Sequence, residues 1–240
     1  MIHKAMILAA GQGSRLRALE SAVPKPMVSI AGRPLIEHTV EWLAVTGFRQ
    51  IVVNLHHQPE AIREHLGDGT RWSVQIRYSH EKTLLGTAGG VKAMEWFFDD
   101  TFLVWYGDNL CQPDLVHMAA YHRAKGGIAT VALHHRPDAT TSGIVELDDD
   151  GRIRRFLEKP SPGDVFSDIV NAGIYILEPE VFEHIPPGVP SDFGRQVFPS
   201  LLDRGEKMYG YLLTTPLYWV DTPADYERTQ QAFAKGGLKR

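Results

Sequence analysis

Three groups of residues have the type and spacing to do chemistry. The run Leu8-Ala9-Ala10-Gly11-Gln12-Gly13-Ser14-Arg15-Leu16-Arg17 places two glycines where an apolar segment ends. Bare backbone N–H groups at such a strand end can close on a phosphate. The loop is not a Walker loop, because no Lys-Ser/Thr pair closes it. Nor is it a dinucleotide fingerprint: Leu16 stands at the third glycine and the second strand ends in Asn54 rather than an acid. Taken alone, the glycines would serve equally well as a tight strand exit. The second group is a pair of cations, Arg15 directly after the glycines and Lys25 between Pro24 and Pro26. The prolines leave that backbone little freedom, so the ammonium can be aimed. Two aimed cations beside a backbone cradle suit a triphosphate better than they suit solvated surface charge. The third group is Asp108 and Asp221, each following an apolar run, Phe102–Tyr106 and Tyr218-Trp219-Val220. Open α/β sheets hold ligands at the carboxyl ends of strands, and a carboxylate pair there suits Mg²⁺, a hard ion that completes its shell with phosphate and water. For Asp108 alone, a turn or helix-capping role competes.

These residues need a scaffold, and the hydrophobic pattern supplies one. Ala5–Ala10 is apolar throughout, as a strand covered on both faces must be. Strand and helix then alternate: helix Pro34–Thr46 ended by Gly47, strand Ile51–Leu55, helix Pro59–Leu66, strand Val74–Ser79, helix Ala88–Phe98, strand Phe102–Tyr106 and helix Pro113–Lys125. After a strand at Ala129–His134 the rhythm changes. Gly143–Leu147 and Ile153–Glu158 flank the turn Asp148-Asp149-Asp150-Gly151, a hairpin signal. A strand at Ile169–Leu177, a helix Phe193–Leu202 capped by Asp192, and a last helix after Pro223 complete the reading. Trp42, Trp96, Phe97 and Phe98 fall on helix faces and are expected in the core. The pattern predicts an α/β fold: a single domain over 1–240, a three-layer α/β/α sandwich whose mixed, mainly parallel sheet is Rossmann-like.

Composition narrows the partners. The chain has 240 residues, 43 % hydrophobic and 22 % charged, which excludes disorder and fibrous structure. Twenty-five Lys and Arg against 29 Asp and Glu give a net charge of -4, so no field invites nucleic acid or an anionic membrane. The lone Cys111 rules out an internal disulfide and any multi-cysteine metal centre. No apolar run approaches the roughly 20 residues of a membrane span, and the N-terminus reads as a strand rather than a leader. A cytoplasmic location is the expectation, with homo-oligomerisation left open. His56-His57 and His134-His135 are poor metal ligands, since neighbours on a strand point to opposite faces.

The motif string resembles the signature of the sugar-1-phosphate nucleotidylyltransferases. Leu8-Ala9-Ala10-Gly11-x-Gly13-Ser14-Arg15-Leu16 and Pro24-Lys25-Pro26-Met27 carry the resemblance first. Leu85-Gly86-Thr87-Ala88-Gly89, Tyr106-Gly107-Asp108, Ser142-Gly143-Ile144-Val145-Glu146, Phe156-Leu157-Glu158-Lys159-Pro160, Asn171-Ala172-Gly173-Ile174-Tyr175 and Trp219-Val220-Asp221 continue it in order. Ala18 and Glu20 depart from the usual Pro and Thr, and the usual Gly-Thr-Pro after the last Asp is shortened to Thr222-Pro223. The resemblance implies a fold like that of GT-A glycosyltransferases and one catalytic unit with no appended second activity. The reaction it implies joins a nucleoside triphosphate to a sugar 1-phosphate, releases pyrophosphate and uses Mg²⁺. Arg15, Lys25 and Asp108 would be catalytic, and Asp108 and Asp221 would hold the metal. Leu8, Ala10, Gly11, Gly13, Ser14, Glu81, Gly86 and Thr87 would join Arg15 and Lys25 around the nucleotide. Gly143, Glu158, Lys159, Asn171 and Ala172 would line the sugar-phosphate pocket.

Glu81 bears on the base. A carboxylate can accept from both the N1–H and the 2-amino group of guanine, whereas uracil and thymine offer one donor. Together with Leu85-Gly86-Thr87-Ala88-Gly89, which resembles the guanylyltransferase branch, this makes GTP with mannose 1-phosphate or a manno-configured heptose 1-phosphate the expected pair. Glucose 1-phosphate with UTP, dTTP or CTP is the alternative. A sugar-nucleotide sensor without activity is the non-enzyme alternative, disfavoured because it would not need every charge-neutralising group.

Overall fold

A computed structural model describes residues 2–11 and 23–236. In chain order its regular elements are β1 (Lys4–Leu8), β2 (Ser29–Ile30), β3 (Arg33–Pro34), α1 (Leu35–Val45), β4 (Gln50–Leu55), α2 (Pro59–Leu66), β5 (Gln75–His80), α3 (Gly86–Lys92), β6 (Phe102–Tyr106), β7 (Asn109–Cys111), α4 (Leu115–Lys125), β8 (Ala129–His135), β9 (Gly143–Leu147), β10 (Ile153–Glu158), β11 (Ile169–Leu177), α5 (Phe198–Asp203), β12 (Met208–Leu212), β13 (Leu217–Trp219) and α6 (Pro223–Ala234). The fold is α/β with a mixed sheet and flanking helices, the class the pattern predicts. Contacts divide the chain into an N-terminal unit, residues 3–84, 105–113 and 214–240, and a central unit, residues 1–2, 85–104 and 114–213.

In the N-terminal unit β1, β4 and β5 run parallel, with Ala5 beside Ile51 and Ile51 beside Ile76. Ala5, Met6, Ile7, Ile51, Val52 and Val53 are fully buried, which is why these strands show no polar alternation. Each such Ile or Val contributes on the order of 1.5–3 kcal/mol by leaving water. Helix α1 buries Leu35, Ile36, Val40 and Leu43, and Gly47 at φ 105° turns the chain after it. Trp42 is half-buried, its indole N–H donating to the Pro113 carbonyl. The short strands β7 and β13 pair antiparallel, Trp219 opposite Asn109. Val28, Ile30, Leu35, Leu110 and Val220 form a core of their own, with Tyr218, Tyr226 and Phe233 packed on it.

In the central unit β8 pairs antiparallel with β11 and parallel with β12, and β9 and β10 form the expected hairpin. Its turn is held by Asp148, whose carboxylate accepts from the N–H groups of Asp150 and Arg152. Two helix expectations need correction. Helix α3 stops at Lys92 and a 3₁₀ turn, Glu95–Phe97, follows. Gly89 and Gly90 weaken that helix, and the tighter turn sends Phe97 and Phe98 inward while leaving Trp96 69 % exposed, so Trp96 is not a core residue. Phe98 instead begins a stack, 4.3 Å from Phe102, which lies 5.4 Å from Phe182. The second correction is at Phe193–Val197, which winds as a π-helix before α5. The wide turn brings Phe193 and Phe198 to one side, 5.4 Å apart, each against Tyr175. Asp192 does not cap this segment; its carboxylate is used elsewhere.

Candidate active site

Asp108 and Asp221 lie 113 positions apart in sequence, and the β7–β13 ribbon brings them together. Beyond the Trp219–Asn109 pair the ladder continues as Val220 N–H donating to the Asp108 carbonyl, 3.1 Å. The turn carrying Asp108 is held from below by the Trp105 indole N–H on Asn109, 2.7 Å, and from β1 by Gly107 N–H donating to the Leu8 carbonyl, 2.9 Å. A Cβ at position 107 would stand 2.9 Å from that same Leu8 carbonyl oxygen, so only glycine fits. Asp221 sits directly before α6, whose start is fixed by a capping box between Thr222 and Asp225. The shortened Thr222-Pro223 sequence therefore leaves an ordered helix start, and its positive end favours an acid at position 221.

Lys25 joins the pair. Its 3₁₀ turn, Lys25–Met27, opens at Pro24 and keeps Pro26 buried. The ammonium lies 3.0 Å from Asp108 Oδ2 and also bonds Asp221 Oδ1. Lys25 is 9 % exposed, Asp221 22 % and Asp108 39 %. Burial pulls the Lys25 pKa down, but the charges and hydrogen bonds of both aspartates outweigh it, and the net shift is upward. Among the described residues no three His, Cys, Asp or Glu side chains converge on a metal position, and Asp108 and Asp221 are the carboxylates that meet here. They already converge on one cation, and an oxygen-only donor pair of this kind fits Mg²⁺, whose remaining positions phosphate and water would fill.

The carboxyl end of β4 carries a second polar group in this unit. Asn54 Oδ1 accepts from the Ala9 N–H, 2.7 Å, and Asn54 Nδ2 donates to Glu81 Oε1, 2.7 Å. Glu81 is 4 % exposed and does not face solvent. Its backbone is pinned too, N–H to the Leu55 carbonyl at 2.8 Å and carbonyl to His56 Nδ1 at 2.8 Å. Leu8 and Ala10 line the exit of β1 and Gly11 is exposed. Gly13, Ser14 and Arg15 lie outside the described residues. Sequence reasoning passed over Asn54, noting only that it is not an acid; a polar amide ending a buried apolar strand was the available signal.

The remaining predicted residues are in the central unit. Gly86 opens α3 at φ 74°, and a Cβ there would meet the Ser191 carbonyl oxygen at 2.5 Å. The N–H groups of Ala88 and Gly89 donate to that carbonyl, 2.8 and 3.0 Å, and Thr87 N–H donates to the Asp192 carboxylate, 3.1 Å. Asp192 thus satisfies the start of α3 rather than its own helix. At the hairpin Gly143 stands opposite Glu158. Cβ atoms at Gly143 and Gly194 would lie 2.6 and 2.5 Å from Glu158 Oε2, so two glycines make room for one carboxylate. Burial pushes the Glu158 carboxyl up, Lys159 and Arg195 pull it down, Asp192 pushes it up again, and the net shift is upward. Lys159 holds φ 51°, rare for a side chain with a Cβ, and its N–H donates to the Ser142 carbonyl, 3.1 Å. Asn171 Nδ2 donates to the Tyr175 hydroxyl and Asn171 Oδ1 accepts from Gly173 N–H, 2.7 and 2.9 Å, where the β11–β8 ladder is irregular. Ala172 is fully buried. Gly143, Glu158 and Lys159 come together as expected, and Arg195 is a cation that sequence reasoning missed.

Residues 4–234 match the family described as nucleotidyl transferase. The chain is 43 % identical over 232 residues to a UTP–glucose-1-phosphate uridylyltransferase of Synechocystis sp., covering 91 % of this chain and 59 % of that protein. It is 35 % identical over 236 residues to a mannose-1-phosphate guanylyltransferase of Mycobacterium tuberculosis, covering 97 % and 65 %. The chain thus spans about three-fifths of the length of these relatives. The fold matches the crystal structure of HddC from Yersinia pseudotuberculosis at a TM-score of 0.82 and 24 % identity, over 97 % of this chain and all of that one. It also matches a UDP-glucose pyrophosphorylase complexed with UDP-glucose at 0.84 and 20 %, over 98 % and 100 %. No helix among the described residues is long and apolar enough to cross a membrane.

Proposed function

The chain belongs to the nucleotidyl transferase family, and we propose that it joins a nucleoside triphosphate to a sugar 1-phosphate and releases pyrophosphate. The carrying observation is the convergence of Lys25, Asp108 and Asp221 at one point. A sugar-phosphate oxygen attacks the α-phosphorus in line, the bond to the β-phosphate oxygen breaks, and no covalent enzyme intermediate is required. Such chemistry asks a protein for position and charge neutralisation. Asp108 and Asp221 would hold Mg²⁺, which would supply phosphate charge neutralisation when bound. Lys25 meets charge growing at the α-phosphate, and Arg15 holds the β- and γ-phosphates over the backbone of Gly11, Gly13 and Ser14. Leu8, Ala10 and Glu81 take the base; Gly86 and Thr87 complete the nucleotide contacts. Lys159 holds the phosphate of the nucleophile, Glu158 takes sugar hydroxyls beside Gly143, and Asn171 and Ala172 line the sugar. The proposed location is the cytoplasm.

GTP with mannose 1-phosphate or a manno-heptose 1-phosphate is the proposed pair, supported by a buried carboxylate at Glu81 and by the Mycobacterium tuberculosis relative. A second reading, UTP with glucose 1-phosphate, is favoured by the Synechocystis relative. Pyrophosphate release across five nucleoside triphosphates and a panel of sugar 1-phosphates, with Mg²⁺ present, separates them. GTP with a manno-configured sugar 1-phosphate should turn over fastest. Preference for UTP and glucose 1-phosphate refutes the pair, and release with no combination refutes the enzyme and leaves a sugar-nucleotide sensor.

A further inference from the structure

We infer that Asn54 is a positioning residue that sets nucleobase choice through Glu81; this rests on the proposed role of Glu81 at the base. The Asn54 amide bridges two buried groups at 2.7 Å each. Its orientation is forced. The Ala9 N–H can only donate, so Oδ1 must face it, and Nδ2 must then face Glu81. The resulting chain runs in one direction, from Ala9 N–H through Asn54 to Glu81 Oε1, and requires Glu81 to be an acceptor there. Asn54 is 3 % exposed and lies in register between Leu8 of β1 and Ser79 of β5. The side chain is therefore locked by the strands on either side. It couples the exit of β1, which leads to the glycine segment, to the carboxylate that selects the base.

Aspartate, the nearest isostere, does not do this. Aspartate at position 54 could still accept from Ala9, but its other oxygen would oppose Glu81 Oε1, and two carboxylates in hydrogen-bond contact cannot both stay ionised. Glutamine at position 81 would repair the contact by donating its amide N–H to that introduced carboxylate, yet would then offer a neutral amide oxygen where wild type offers a carboxylate oxygen. The pair Asn54 and Glu81 therefore fixes which face of residue 81 is offered to a base.

The test is calorimetric binding of GTP and of UTP to the full chain, without sugar phosphate, for wild type, Asn54→Asp and Asn54→Asp/Glu81→Gln, with thermal melts as the folding control. Placing a proton-sharing carboxyl pair where the amide N–H met Glu81 leaves less negative charge for a base to meet, and should weaken GTP binding by about 10- to 100-fold in Asn54→Asp, with UTP changed by less than about 3-fold. The double variant should regain the melting temperature and keep UTP binding without regaining wild-type preference for GTP. In turnover, KM for the nucleotide should rise while KM for the sugar 1-phosphate stays fixed. The inference is read from the change in the GTP-to-UTP affinity ratio on mutation; an unchanged ratio, or wild-type preference in the double variant, overturns it. The guanine reading is judged separately, by the wild-type ratio itself: a wild type that prefers UTP refutes that reading, while a changed ratio in Asn54→Asp still upholds the role of Asn54. A wild type that binds neither nucleotide refutes both.

Discussion

Replacing Lys25 by methionine tests the carboxylate pair directly. Methionine keeps the length and the burial and removes the charge. Both aspartate oxygens lie within hydrogen-bond reach of one nitrogen, the longer contact being 3.0 Å, so they are no more than about 6 Å apart, and their repulsion at an effective dielectric of 20 is about 3 kcal/mol. Asp108 is 39 % exposed, so water and salt screen part of this, and a stability loss of roughly 1–2 kcal/mol is expected. The uncompensated pair should then take up a divalent cation more readily than wild type, where the ammonium competes for the same oxygens. Urea denaturation should show 10 mM MgCl₂, against KCl of equal ionic strength, stabilising Lys25→Met more than wild type, as ligand linkage requires. Turnover should fall by roughly 10²-fold or more and stay low at high Mg²⁺, because the metal replaces the charge and not the contact at the α-phosphate. Equal stabilisation of both proteins by Mg²⁺, or a variant as stable as wild type without it, would refute the reasoning.

Gly86→Ala should cost roughly 2 kcal/mol or more in urea, since its Cβ would meet the Ser191 carbonyl oxygen at 2.5 Å at a φ of 74°; a shift below a few tenths would show that the Leu85 to Ala88 turn relaxes freely. Glu158 has a raised carboxyl pKa because of burial, so its contribution to stability is complete below its ordinary 4.5 and is lost as pH rises through the folded-state value. Glu158→Gln should accordingly be more stable than wild type at pH 7, with a higher KM for the sugar 1-phosphate; lower stability at pH 7 would count against the burial argument. His122 is lowered by burial against an upward pull from Glu178, so its contribution is present above 6.5 and is lost as pH falls through the depressed folded value. Glu178→Gln removes the upward pull and should steepen the loss of stability between pH 7 and 5, measured by urea midpoint; an unchanged slope would show that the two do not interact.

What the sequence made legible was whatever rests on a long pattern. The apolar runs of β1, β4 and β6, the helix under Leu35, Ile36, Val40 and Leu43, and the hairpin around Asp148–Gly151 all depend on periodicity or turn chemistry that one chain segment carries by itself. The ribbon of β7 and β13 did not show, because three residues are too few for alternation, and yet that ribbon is what carries Asp108 to Asp221. Asp192 illustrates a second limit. Locally it reads as the cap of the segment after it, and only the fold reveals that Thr87, 105 positions away, uses its carboxylate instead. The π-helix at Phe193–Val197 is a third case, chosen by where two phenylalanines must pack and not by any local preference. Asn54 and Arg195 were missed for the same reason: one polar side chain has no periodicity, and its meaning comes from its partner.

In each unit the residues proposed for recognition have hydrogen-bond partners within the protein. Lys25 holds two aspartates, Glu81 accepts from Asn54, and the first N–H groups of α3 are taken by Ser191 and Asp192. A ligand therefore exchanges one contact for another, and the net gain of each exchange is small even where the new bond is strong. This ranks the predicted contacts. The Lys25 ammonium can pass from carboxylate to phosphate if a divalent cation replaces it between the aspartates, so its exchange is compensated. A phosphate at Thr87 would have to displace the Asp192 carboxylate, which also feels the Glu158 carboxylate. Thr87 is accordingly better suited to hold the loop of Ser191 and Asp192 than to bind phosphate through its backbone, and Thr87→Val should act on stability before it acts on nucleotide affinity.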